Sequence, residues 1–535
     1  MTSGASQIAE SVATAGVADL CISNREGRRA QLWLRWSSPL LACAALAGCG
    51  GGGDRESIRS PVVLGMSPAD GAMAVPNTTA ISARFDAKMD PATLTAASFT
   101  ITCPGGVAVT GNVSYDAATS TATLTPTALL PADVTCTATV TPAALSSRGA
   151  ALAISTSWSF GTTFDAAVVA QGKQTFRSET FGDESFWTDT LRLHEVIRTA
   201  VDPGTALAVG LKVDAEALPA DVVTGIQNGT ISLVNPATTV ALLKLNAVVG
   251  VKGTVENING QDTLTHVGIT CALCHSTVDD SFAPGIGKRL DGWPNHDLNP
   301  GAIVALSPVL TLAQKNVYNS WGRGKYDPRF NFDGFSSGQV ISAAYGLKNV
   351  HRITATGDGD HIAYWNRYVA VTQMGGHGSF VEPRTGVTVM NGNDDLVSGK
   401  LPALQQYQLS LDAPPPPDGS FDAAAAARGE TLFRGAAGCA TCHSGPDFTD
   451  ANVRLHAPAD VVSEPEPNGA PSYASRSATR QYRTAPLKGL WQHAPYFHNG
   501  SAATLEDVVT TYNTRKALGL SPANKADLVQ YLKSL

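Results

Sequence analysis

Two short cysteine–histidine motifs carry the chemistry of this 535-residue sequence. CALCH occupies 271–275 and CATCH occupies 439–443. In C-x-x-C-H, two thiols add to the vinyl groups of a porphyrin and the adjacent histidine ligates its iron. With nine Cys and eleven His in 535 residues, a chance match is expected in only about 0.003 of such chains. A thioredoxin-like redox pair or a zinc site are the competing readings. Zinc would need all four thiols together and would leave each trailing histidine to coincidence. The expectation is therefore two covalently bound c-type haems, attached through Cys271, Cys274 and His275 and through Cys439, Cys442 and His443.

Further residues bear on the open sides of those irons. The stretch RTAPLKGLWQHAPYFHNGSAATLEDVVTTYN (483–513) resembles the C-terminal signature of the di-haem cytochrome c peroxidase superfamily. That superfamily includes the methylamine dehydrogenase maturation enzyme and, more distantly, rubber oxygenase. In the peroxidases, a methionine ligand lies fourteen positions after the histidine of the YFH-G motif. Counted from His498, that position is Tyr512 here, and no methionine follows Met390. The resemblance thus implies Tyr512, as in the maturation enzyme, or His498, as in the rubber-oxygenase branch, as the second iron's sixth ligand. Another group or an open site is the remaining alternative. The resemblance also implies peroxide- or oxygen-dependent oxidation and an electron-donor or -acceptor protein as partner. The middle of the chain departs from the standard peroxidases, so no substrate is carried over.

For the first haem, His266, His296, His351, His361 and His377 are all candidate sixth ligands. A catalytic distal side needs an acid and a base near an open iron face. The glycine-rich segment VTQMGGHGSFVEPR (371–384) offers Gln373, His377 and Glu382. Trp321, Trp365 and Phe332 are candidates for relaying electrons between the haems. Asp358, Asp360 and the NGNDD run (391–395) have oxygen ligands suited to Ca2+, without the spacing of an EF-hand.

These residues need elements to hold them. FDAAAAARGETLFR (421–434) reads as an alanine-rich helix just before CATCH. PANKADLVQYLKSL (522–535) places Leu528, Tyr531 and Leu532 on one helical face. Gly429 would permit a close crossing of the two, which resembles cytochrome c. Gly172 to Phe176-Arg177 echoes Gly429 to Phe433-Arg434, but CALCH follows only about 90 residues later, so a large insertion is expected. The boundaries read as 164–412 for the first haem domain, 413–420 for a stiff Pro-rich linker (Pro414–Pro417), and 421–535 for the second.

Residues 60–163 alternate with period two between turn signals, which predicts short antiparallel strands. The stretch from SPADGAMAVPNTTAISARFDAKMD to ISTSWSFGTT resembles a bacterial Ig-like domain. Cys103 and Cys136 each fall on such a strand and are paired as a disulfide, rather than left as two buried free thiols. No histidine precedes His194, so the module reads as a spacer or adhesion unit. The fold class expected is multidomain, an N-terminal all-β Ig-like sandwich followed by mainly α-helical tandem cytochrome c-like domains.

At the N-terminus, Arg25, Arg28, Arg29 and Arg35 precede the apolar stretch PLLACAALAG (39–48). A basic region before a short apolar run is a signal peptide pattern. Leu46-Ala47-Gly48-Cys49 resembles a bacterial lipobox, which implies lipidation of Cys49 and a membrane anchor. An ordinary signal peptide cleaved nearby is the alternative. Residues 1–48 would be the signal region, 49–59 a flexible tether, and the mature protein an exported, periplasmic or cell-surface lipoprotein. The net charge of −7 leaves no electrostatic footprint for nucleic acid. No apolar run reaches the ~20 residues of a membrane span. The nine cysteines then divide without remainder. Cys21 and Cys43 leave with the signal, Cys49 takes lipid, Cys103 and Cys136 pair, and four hold haem. The leading functional expectation is a peroxidase-like di-haem oxidoreductase. Its rivals are a non-catalytic electron carrier with both irons six-coordinate, and a surface binding protein acting through the Ig-like module.

Overall fold

The computed structural model describes residues 59–104, 108–330, 334–359, 361–462 and 471–535. Expectations for Cys21, Cys43, Cys49 and the glycine tether, and for Phe332 and Asp360, lie outside the described residues. Residues 59–535 form one compact unit. No helix among the described residues is long and apolar enough to cross a membrane.

The first module is a β-sandwich of β1 (Val63–Ser67), β2 (Ala72–Pro76), β3 (Ile81–Phe85), β4 (Phe99–Thr102), β5 (Gly111–Asp116), β6 (Thr121–Pro126), β7 (Thr135–Val140) and β8 (Thr156–Thr163). One sheet runs β1-β3-β6-β5 and the other β2-β8-β7-β4. Period-two alternation sends Ile81, Phe99, Ile101, Leu124, Trp158 and Phe160 into the shared core. Cys103 and Cys136 are disulfide-bonded. The bond joins the end of β4 to its neighbour β7 within one sheet, rather than spanning the two sheets. Closing a loop of 33 residues contributes about 4 kcal/mol in the chain-entropy account.

The remainder is built on two helix pairs. The helices that matter are α1 (Ala166–Ser178), α2 (Ile362–Tyr368), α3 (Leu401–Leu409), α4 (Ala423–Arg434), α5 (Leu505–Arg515) and α6 (Pro522–Lys533). Helix α1 crosses α3 at Gly172, where a β-carbon would overlap the Ala403 carbonyl. Helix α4 crosses α6 at Gly429, where a β-carbon would overlap the Asp527 carbonyl. One turn on, Phe176 packs edge-on against Tyr407 at 5.5 Å and Phe433 against Tyr531 at 5.2 Å. The same construction therefore occurs twice. Its sequence trace is longer than the Gly172–Arg177 echo. FDAAVVAQGKQTFR (164–177) matches FDAAAAARGETLFR (421–434), and LQQYQLSL (404–411) matches LVQYLKSL (528–535).

The region between α1 and α3 is not mainly helical, which corrects that part of the expected fold class. Its largest strand unit is a hairpin, β9 (Val251–Ile258) with β10 (Gln261–Ile269). The hairpin turns through Asn259 and Gly260 at φ 55° and 85°, the left-handed pair that an Asn-Gly turn favours. Short two-stranded ladders such as Lys325–Tyr326 with Gln339–Val340 follow. VKGTVENI and QDTLTHVGI are rich in the β-branched residues Val, Thr and Ile and flank an Asn-Gly pair, the composition and turn of a hairpin.

The Ig-like module is joined to the first helix pair without slack. β8 ends at Thr163 and α1 begins at Ala166. Asn77, 1% exposed, donates from Nδ2 to Gln406 Oε1 at 2.6 Å and accepts at Oδ1 from the Asp165 backbone N–H at 3.1 Å. In the second pair, Gln530, the counterpart of Gln406, accepts directly from the Asp422 N–H at 2.8 Å. The sandwich thus inserts one amide into a hydrogen bond that the second domain makes unaided.

Candidate haem cavity

CALCH sits on a short helix, Ala272–His275. Gly250 at φ 77°, at the foot of the hairpin, packs so closely on it that a β-carbon would overlap the Leu273 backbone. The insertion therefore presses the motif into place. CATCH begins on a 3-10 turn, Cys439–Thr441, behind Gly438. None of the four motif cysteines is disulfide-bonded. Both motifs line one cavity of about 840 Å3.

The two motif histidines are oriented alike. His275 Nδ1 lies 3.0 Å from the Ser342 carbonyl, and His443 Nδ1 lies 3.1 Å from the Phe448 carbonyl. A carbonyl oxygen can only accept, so Nδ1 carries the proton and Nε2 is left for a metal. This is the usual outer support of a metal-bound imidazole. Burial holds His275 down to about 4 and lowers His443 as well, so both rings are neutral donors at pH 7.

The cavity wall also holds an unsatisfied cation. Arg483 donates from Nη1 to the Arg352 carbonyl at 3.2 Å, but its buried Nε has no hydrogen-bond partner. Burial lowers its pKa to about 10, so it remains charged. A haem carries carboxylates that would meet this orphaned donor. Paired thiols, an oriented imidazole and a waiting arginine on one apolar cavity fit the group that the motifs imply.

The structure sorts the other candidates. Tyr512 and His498 both line the cavity. Burial, then the neighbouring Cys439 and Cys442, push the Tyr512 phenol up to about 12. The His498 ring lies 4.8 Å from that of Tyr482. Trp321 and Trp365 are on the wall too. Gln373 is also there, with Nε2 donating to the Pro328 carbonyl at 3.0 Å.

His377 and Glu382 are not brought to Gln373's side. His377 pairs with Asp394 at 2.9 Å. Glu382 is clamped by Arg384 at 2.6 Å and by the Tyr364 hydroxyl at 2.9 Å, which holds its carboxyl down to about 2. The strand Gly378–Glu382 turns both away from the cavity. His266, His351 and His361 are exposed and also off the wall. His296 lines it, but both ring nitrogens face carbonyl oxygens, Nδ1 that of Ala494 at 2.6 Å and Nε2 that of Ile341 at 2.9 Å. It offers no nitrogen to iron.

The expected calcium ligands are otherwise engaged. Asp358 accepts from Arg329 and from the Thr479 N–H. Asp395 accepts from Ser398 at 2.6 Å and pairs with Arg367. Among the described residues, the one convergence of His, Cys, Asp or Glu ligand atoms is Cys442, Asp450 and His456, and Cys442 belongs to the attachment motif.

Arg483, Met374, Tyr345 and His493 are among the wall residues to which the sequence assigns no role. Arg483 opens the C-terminal signature. Tyr345 and His493 meet at 2.8 Å between hydroxyl and Nε2, across 148 positions of chain. No local pattern announces such a pair.

Comparison with known proteins finds two families that match parts of the chain. A family described as bacterial Ig-like domain matches residues 57–162, and one described as RoxA-like, cytochrome c-like matches residues 481–518. A cytochrome-c peroxidase, IdrP2, of Pseudomonas sp. (strain SCT) is 32% identical over 145 residues, covering 21% of this chain and 39% of that protein. The methylamine utilization protein MauG of Methylorubrum extorquens is 32% identical over 157 residues, covering 26% and 40%. An IdrP2 of Denitromonas iodatirespirans is 24% identical over 302 residues, covering 50% and 76%. The chain spans about two fifths of the length of the first two.

Proposed function

We propose that this chain, a member of the di-haem cytochrome c peroxidase superfamily that carries a bacterial Ig-like domain, is an exported di-haem oxidoreductase. It couples electron transfer to peroxide- or oxygen-dependent oxidation, with a donor or acceptor protein as redox partner. The observation that carries this reading is that both C-x-x-C-H motifs open on one cavity, each with its histidine held by a backbone carbonyl. Bound c-type haems would supply redox-active iron, and an iron with an open face would supply the peroxide or oxygen site.

The chain's own residues do the rest. The Ser342 and Phe448 carbonyls fix the two imidazoles and raise their basicity. Gln373 is anchored through Nε2, which leaves its side-chain oxygen as an acceptor on the first domain's side of the cavity. Arg483, with its buried Nε unpaired, would hold a haem carboxylate. Tyr512 or His498, both on the cavity wall, would be the ligand available to a second haem. Apolar side chains such as Val369, Ile303 and Leu487 line the cavity and exclude bulk water. The Cys103–Cys136 disulfide suits an oxidising compartment, in line with export and lipidation at Cys49.

The test is haem-loaded protein assayed with peroxide and a reductant. The reading expects two covalent haems per chain by pyridine haemochrome and peroxide consumption that depends on reductant. Two irons that stay six-coordinate through reduction and neither bind nor consume peroxide would refute it, leaving an electron carrier.

A further inference from the structure

His296 stands where the two motif regions meet. Its Nε2 faces the Ile341 carbonyl, next to the Ser342 carbonyl that holds His275. Its Nδ1 faces the Ala494 carbonyl, four residues before His498. The Val340 N–H donates to the His498 carbonyl at 2.8 Å. The contacts form a closed ring, from His296 to Ile341, through Val340 to His498, and back along the chain to Ala494.

Two carbonyl oxygens can both be satisfied only if both ring nitrogens carry hydrogen. The closed ring therefore requires an imidazolium. A neutral ring must turn one lone pair toward a carbonyl and release that side.

We propose that His296 is a positioning residue that couples the two haem sites, holding Ile341–Ser342 and Ala494 together while its ring is doubly protonated. The proposal rests on the di-haem reading above. Were haems bound at both motifs, the positive charge of the ring would favour reduction of either iron, and by linkage reduction would favour that charge.

The groups facing the ring decide where it titrates. Burial, the largest influence, holds its pKa below the ordinary histidine value against the two carbonyls and Asp297, so the ring takes its second proton only on acidification. Asp297 is itself neutralised by Lys212 at 2.6 Å and Arg323 at 3.6 Å. Across the domain boundary, His493 is buried, neutral at pH 7 and bonded to Tyr345. Lys325 follows Gly324, where a β-carbon would press on the His296 carbonyl.

The experiment is spectroelectrochemistry of the haem-loaded full chain across about pH 5 to 8. Wild type and His296→Gln are compared, because glutamine can donate to a carbonyl from its amide nitrogen alone. The expected result is that the wild-type midpoint potentials fall as pH rises and that this fall is lost or much reduced in the variant. The two irons should also titrate more independently in the variant. A variant whose pH profile and inter-haem coupling match wild type overturns the proposal. If the variant fails to load haem, reduced-minus-oxidised infrared difference spectra of wild type with ring-labelled histidine decide. An imidazole protonation signal on reduction supports the coupling, and its absence refutes it. A wild-type chain without two covalent haems would refute the di-haem reading instead, and pyridine haemochrome detects that separately.

Discussion

At the scale of single residues, the proposed attachment sites are legible in sequence because their chemistry is local. Two thiols and an imidazole at fixed spacing satisfy one porphyrin edge and its iron. The groups that hold the cavity's histidines are not local. Ser342 reaches His275 across 67 positions, and Tyr345 reaches His493 across 148. The glycine-rich segment 371–384 illustrates the limit: one of its three polar candidates, Gln373, lines the cavity, while strand pairing carries His377 and Glu382 elsewhere. His493 supplies a pH test. Burial holds its pKa at about 3, whereas an unfolded chain binds that proton near 6.5. Acidification below about 6.5 therefore favours the unfolded state, by up to about 1.4 kcal/mol per pH unit, until the folded value is reached. Thermal melting of the haem-loaded chain should drop as pH falls through this range, and His493→Gln should shallow the slope. An unchanged slope would mean that His493 is already charged in the fold.

Elements explain why those residues stay in place. The two helix crossings depend on Gly172 and Gly429, each pressed against a carbonyl. The second pair is readable because α4 ends at Arg434, just before CATCH, and α6 carries an apolar face at the end of the sequence. The first pair was harder to see, since the hairpin and its neighbours separate α1 from its motif and from α3. Matching the two helix ends, LQQYQLSL against LVQYLKSL, exposes it without any structure. The hairpin too is legible in the sequence, as an Asn-Gly turn between two runs rich in Val, Thr and Ile. Gly172→Val and Gly429→Val should each cost about 2–3 kcal/mol through overpacking. Denaturant melts followed at the Soret band should show the first variant loosening the first haem's environment and the second variant the other. Equal effects on both haems from either substitution would argue against two separate helix-pair units.

At the scale of the molecule, the Ig-like module is part of the haem-bearing body rather than a tethered spacer. Its sandwich was clear from alternation, but its attachment was not, because Asn77 sits 329 positions from Gln406. Lys348 also pairs with Asp133 and lies over the Phe164 ring at 5.7 Å. Asn77→Leu strands the Gln406 oxygen and the Asp165 N–H in a buried seam, which should cost roughly 1–3 kcal/mol. Thermal unfolding of the full chain should register that loss, and Gln530→Leu should weaken only the second domain. An Asn77 variant as stable as wild type would return the module to the role of spacer. The whole assembly converges on one claim, that two covalent haems share a cavity and one iron keeps an open face. Low-temperature electron paramagnetic resonance of the fully loaded ferric chain tests it most directly. The account predicts one high-spin and one low-spin iron per chain, with the high-spin signal altered by peroxide. Two low-spin irons of equal intensity, both indifferent to peroxide, would contradict it.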